Sequence, residues 1–150
     1  MAVAALNGKI YVVGGFEESG LGNFLNFAIT PSLEKYEPAT NTWTTRSPMP
    51  IGLHHAGIGV AGGKLYVIGG YTQSGLSVWH PGATVYAYDP AMDIWTEHAP
   101  MPTPRGALSV TAHDGNCMPL AATTGRPIAL PSRSTIREAT PGLCERPYRP

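Results

Sequence analysis

The sequence predicts an all-β chain built from repeated units. Three observations lead there. A block carrying the same residues in the same order occurs twice before residue 116, and self-similarity at such a period marks a repeat architecture. Runs of β-branched and aromatic residues are bounded by glycine, as strands are. No stretch shows the 3.6-residue apolar period of an amphipathic helix. With 18 Gly and 15 Pro among 150 residues, many turns and short strands follow.

The elements come in order from two alignments. NGKIYVVGGF (Asn7 to Phe16) matches GGKLYVIGGY (Gly62 to Tyr71), and Gly15 lies 55 positions before Gly70. KYEPATNTWTTRSPMP (Lys35 to Pro50) matches AYDPAMDIWTEHAPMP (Ala87 to Pro102), and Trp43 lies 52 positions before Trp95. The difference of three residues is a change in loop length. Each unit offers four strands: one before the Gly-Lys turn, one ending in Gly-Gly, one ending at Tyr-acid-Pro, and one around Trp. The turns at Tyr36-Glu37-Pro38 and Tyr88-Asp89-Pro90 separate the last two, and Pro-Met-Pro closes each unit.

Gly14-Gly15 with Tyr36 and Trp43, then Gly69-Gly70 with Tyr88 and Trp95, follow the order of the kelch repeat. The chain therefore resembles the kelch family, whose units form four-stranded blades of a β-propeller. The resemblance implies two consecutive blades, 1-50 and 51-102, with the first strand of an incomplete third blade over 103-116. Gly pairs are expected where backbones crowd, and Tyr and Trp are expected to fill the space between blades. Kelch units usually carry an Arg shortly after Pro-Met-Pro. Arg105 fits that place, whereas the earlier unit has Leu53 followed by His54 and His55. The binding candidates are the blade-end residues His54, His55 and Arg105. Adjacent strand side chains point to opposite faces, so His54 and His55 are not expected to share one metal ion. The resemblance implies a module that binds a protein or glycan partner. The rival is a fragment of a carbohydrate-active enzyme of the galactose-oxidase-like or sialic-acid-epimerase-like kind.

Other signals carry less. GIGVAG (Gly57 to Gly62) spells GxGxxG, but a dinucleotide fingerprint needs a helix to open from it, and here strand leads to strand. Glu17 and Glu18 belong to the long loop FEESGLGNFLNFAITPS and read as solvated carboxylates. That loop and its counterpart YTQSGLSVWHPGAT are where specificity is expected. No catalytic residue, metal set or cofactor is read. The formal net charge is zero, which gives no case for nucleic acid or an anionic membrane. The start MAVAALNGK lacks a basic region and apolar core, and no apolar run has membrane-spanning length, so a cytoplasmic location is the default expectation.

The zero net charge conceals an asymmetry. Through Asn116 there are five Lys or Arg against eight Asp or Glu, a net of −3; from Cys117 onward five Arg stand against two Glu, a net of +3. Residues 117-150 read as an irregular Pro/Arg-rich tail. Cys117 and Cys144 have no metal-type spacing, and a disulfide between them is allowed rather than required. The break follows Asp114-Gly115, where the repeat predicts Lys-Leu-Tyr. Codons AAA CTG TAT GCC ATT GGC GGC TAC, short of one A, read Asn-Cys-Met-Pro-Leu-Ala-Ala-Thr, the sequence of Asn116 to Thr123. The tail is thus compatible with a kelch blade read out of frame, which the encoding DNA decides. An unpaired third-unit strand would leave an open edge and favour self-association.

Overall fold

The computed structural model describes residues 1–18, 27–74, 77–113 and 116–123. The first unit is a four-stranded antiparallel sheet, ordered β1 (Ala2–Leu6), β2 (Lys9–Val13), β5 (Leu33–Glu37) and β6 (Thr42–Arg46). Between its second and third strands, β3 (Phe16–Glu18) pairs with β4 (Phe27–Ile29). The second unit repeats the plan with β7 (Gly57–Ala61), β8 (Lys64–Ile68), β11 (Val85–Asp89) and β12 (Ile94–His98). Its intervening ribbon is β9 (Tyr71–Ser74) with β10 (Ser77–Pro81). All four expected strands of each unit are present, and no helix occurs among the described residues. The two loops expected to carry specificity are not wholly irregular, since each begins and ends as a short antiparallel ribbon.

Backbone hydrogen bonds repeat with the sequence offsets. Gly14 N donates to Ser32 O, Met49 N to Pro31 O and Gly15 N to Leu53 O; Gly69 N donates to Thr84 O, Met101 N to Ala83 O and Gly70 N to Arg105 O. The Gly pair is displaced by 55 residues and the acceptors Ser32 and Thr84 by 52, so the units are built by the same bonds. The glycines are required at these points. Gly14 and Gly69 have φ of 60° and 59°, where side chains are strained. A Cβ at either would also run into the carbonyl oxygen of Leu53 or Arg105.

The core lies between sheets. Leu6, Tyr11, Val13 and Leu33 of the first unit pack with Leu65, Val67, Tyr86 and Tyr88 of the second. The opposite face of the second sheet, with Tyr66, Ile68, Val85 and Ala87, packs with Leu108 and Cys117. Alternate residues of β8 thus serve two cores, which is why a near-continuous apolar run occurs there. Polar bonds lock the seam between the two units. Trp95 Nε1 donates to Ser47 O at 2.8 Å, Arg46 Nε donates to Tyr88 Oη at 3.1 Å, and Tyr88 Oη donates to Asp93 Oδ1 at 2.7 Å. Burial, with the Asp93 bond adding to it, pushes the Tyr88 phenol up to about 12. The Tyr and Trp of one unit therefore grip the preceding unit. Trp43, the counterpart of Trp95 in the first unit, is 57% exposed.

The third unit differs from expectation in one respect. β13 (Gly106–His113) does not stand alone, because β14 (Asn116–Thr123) pairs with it antiparallel, with Ala112 opposite Cys117. Two residues, Asp114 and Gly115, separate the strands, and a two-residue Asp-Gly connection is a strong hairpin signal. Cys117 stands where the second unit has Leu65; both are 0% exposed, so the cysteine fills an apolar slot. It is disulfide-bonded, while Cys144 and the rest of the tail lie outside the described residues. The open edge expected at β13 is thereby closed on one side.

Candidate functional site

The connector between the two units brings the predicted histidines to the two ribbons. His54 forms an antiparallel bridge with Tyr71: His54 N donates to Tyr71 O at 3.0 Å and Tyr71 N to His54 O at 2.8 Å. This fixes the His54 ring, which is 0% exposed, among other rings. Its centroid lies 4.4 Å from that of Phe16 on β3, 5.4 Å from Tyr71 on β9 and 4.9 Å from Trp79 on β10. The cluster therefore joins one ribbon from each unit.

His54 and His55 do not point apart. Their Nδ1 atoms lie 2.7 Å from each other. His55 has φ of 50°, so the pair is not in extended strand geometry and the alternation rule does not apply. That conformation belongs to the connector, because Ala107, 52 positions later, has φ of 52°. The bonding partners set the tautomers. His54 Nε2 faces the Val78 carbonyl, which only accepts, so Nε2 carries the proton and donates. His54 Nδ1 is then the acceptor and His55 Nδ1–H the donor. Burial pulls the His54 pKa below the usual imidazole value, against the Val78 carbonyl, which favours the protonated ring. His54 is thus a neutral ring that positions others. His55 is exposed and lies 5.4 Å from Trp79, which is itself 56% exposed.

Arg105 occupies the equivalent connector of the next unit. Its backbone N donates to Gly82 O, and its Nε donates to Thr103 Oγ1 at 3.0 Å. The two connectors touch through Ala107 N donating to His55 O at 2.9 Å. At the position of Arg105 the first unit has Leu53, which is 1% exposed in the first core; the departure from the kelch pattern exchanges a guanidinium for packing. Phe16, Tyr71 and Trp79 were not singled out from sequence as site residues. The signal available for them was their place in the two loops marked for specificity. Among the described residues no group of three or more His, Cys, Asp or Glu could hold a metal ion. Glu17 pairs through its backbone with Ala28 and is exposed.

The family model described as Kelch motif matches residues 1–50 and 52–102. The chain belongs to the kelch-repeat family. Its kelch relatives include "Kelch-like protein terF" of Aspergillus terreus, 34% identical over 121 residues, covering 79% of this chain and 26% of that protein. "Kelch-like protein 35" of Mus musculus is 28% identical over 151 residues, covering 75% of this chain and 25% of the relative. "Beta-scruin" of Limulus polyphemus is 33% identical over 114 residues, covering 76% and 12%. The chain thus spans about a quarter or less of the length of these kelch relatives. Among solved structures, YjhT superposes with a TM-score of 0.65 at 19% identity, covering 79% of this chain and 42% of that one. At that identity the likeness concerns the fold.

Proposed function

We propose that this kelch chain is a binding module whose blade-end ribbons recognise a partner protein. The observation that carries the reading is the ring cluster of Phe16, His54, His55, Tyr71 and Trp79. It is anchored by a buried neutral imidazole and ends at the surface in Trp79 and His55. Aromatic anchors of this kind dominate protein interfaces because they bring large area at low entropic cost. Arg105, on the next connector, adds a cation to the same reading. Kelch-repeat proteins commonly serve as interaction modules, which agrees with it.

Peptides selected by display against the whole chain test the proposal. Trp79→Ala and His55→Ala are expected to weaken the selected peptides by about thirtyfold, the scale of an interface hot spot. Trp43→Ala, on another face, leaves them unchanged. Selected peptides that bind the Trp79 variant undiminished would exclude the ring cluster. Binding to a glycan array with no peptide selected replaces the protein partner by a glycan, and accelerated sugar mutarotation replaces the module by an enzyme.

A further inference from the structure

A second feature lies on the seam between the two units, away from the ring cluster. Strand register places Tyr11 opposite Lys35 on adjacent strands, and Leu33 opposite Arg46. Lys9, Tyr11, Lys35 and Arg46 therefore share the face of the first sheet that meets the second unit. Where that face leaves the apolar core, the two sheets enclose a cleft of about 210 Å³. Lys9, Tyr11, Lys35 and Arg46 line one wall, and Pro90 and Ala91 of the second unit line the other. No acidic residue is among the described lining residues.

The repeat supplies an internal comparison. Lys9 pairs with Glu37 at 3.1 Å, and its counterpart Lys64 pairs with Asp89 at 3.4 Å. That ion pair recurs, so it belongs to the blade. Lys35 and Arg46 do not recur: 52 positions later stand Ala87 and His98. The additional positive charge is peculiar to this seam. Arg46 is held in place, with Nε on Tyr88 Oη at 3.1 Å, Nη2 on Pro90 O at 3.5 Å and Asp93 Oδ1 at 3.5 Å from Nε. Its Nη1 has no protein acceptor among the described residues, and Lys35 has no carboxylate partner there. Tyr11 is 3% exposed. Burial and, to a lesser extent, Glu37 raise its pKa while Lys9 and Arg46 lower it, so the phenol lies in the field of both cations and of the carboxylate paired to Lys9.

The geometry points to this cleft as a binding site for a phosphate-type oxyanion, held by Lys35 and Arg46 with Lys9 and Tyr11 beside them. Three cationic side chains around one cavity suit an acceptor with several charged oxygens, and charge-assisted bonds of this kind are the strong ones. Guanidinium suits planar, multidentate contact, while the lysines act as point charges. The oxyanion is either free phosphate or a phosphoryl group carried by a side chain of another protein. Both present the same oxygens.

The whole chain, melted in inorganic phosphate and in chloride at equal ionic strength, tests the inference. A ligand that binds the folded state stabilises it by RT ln(1 + [L]/Kd), so the melting midpoint rises with the logarithm of ligand concentration once that exceeds Kd. Phosphate is expected to raise the midpoint above that in chloride, and to broaden saturably in its phosphorus NMR signal. Lys35→Ala should weaken binding about tenfold, Lys35→Arg should restore it, and Lys64→Ala, the counterpart of Lys9 in the second unit, should leave it unchanged. A phosphoserine peptide that binds more tightly than inorganic phosphate assigns the oxyanion to a partner protein; equal affinity assigns it to the free ion. Phosphate no more stabilising than chloride, or a Lys35→Ala chain that responds like the parent, overturns the assignment.

Discussion

His54 and His55 differ in fate although they are neighbours. His54 is enclosed by Phe16, Tyr71 and Trp79 and donates to the Val78 carbonyl, while His55 stays at the surface and donates to His54. Sequence reasoning found both residues and their connector, but not their meeting. It turns on a left-handed backbone at a residue that is not glycine, for which composition offers no cue. The arrangement is sensitive to acid. The folded His54 pKa lies below the ordinary 6.5, so the unfolded chain takes up the proton more readily. The stability tied to the neutral ring is present above pH 6.5 and is lost as pH falls towards the folded value. An NMR titration should place the His54 imidazole below 6.5, and the melting midpoint should fall as the solution is acidified from neutral. His54→Gln should flatten that fall; an unchanged acid limb in the variant would show that other groups control it.

At the scale of elements, glycine pairs and Pro-Met-Pro segments act together. Gly69 brings the end of β8 against the connector carbonyl of Arg105, and the Met101 side chain lies beside it. Gly69→Ala adds a Cβ to a left-handed residue and drives it into a backbone oxygen. The strain alone costs about 1–3 kcal/mol, and the clash adds to it. Gly62→Ala, with φ of 55° and no atom within 4 Å of the added Cβ, should cost less. Urea unfolding of the two variants measures the difference, and equal losses would mean that conformation rather than crowding makes Gly69 necessary. The glycine pairs were legible in the sequence because they recur. The ribbons β3–β4 and β9–β10 were harder to read because the two loops share little sequence. Strand β14 was missed because its residues lack a strand pattern. Cys117 nevertheless matches Leu65 in position and burial, so pairing to β13 and an apolar slot were enough.

Across the whole molecule, equivalent residues carry unequal weight according to what lies beside them. Trp95 bonds Ser47 of the preceding unit, whereas Trp43 presents the same face to solvent. Trp95→Ala should therefore destabilise the chain by about 2 kcal/mol or more, and Trp43→Ala by about 0.5 kcal/mol or less. Thermal unfolding of both variants measures this, and equal losses would remove the inter-unit grip as an explanation. The outward face of the first sheet carries Val3, 52% exposed, and Trp43, 57% exposed.

Legible along the chain were the four strands of each unit, the offsets of 55 and 52 residues and the kelch family, because local periodicity and recurrent turn residues are properties of neighbours along the chain. That Phe16, Tyr71 and Trp79 surround His54 is a product of packing. Packing likewise set Lys35 and Arg46 on the rim of a cleft closed by Pro90 and Ala91. Those outcomes depend on how one sheet stacks on the next, and stacking joins residues from separate units whose spacing in sequence carries no trace of the contact.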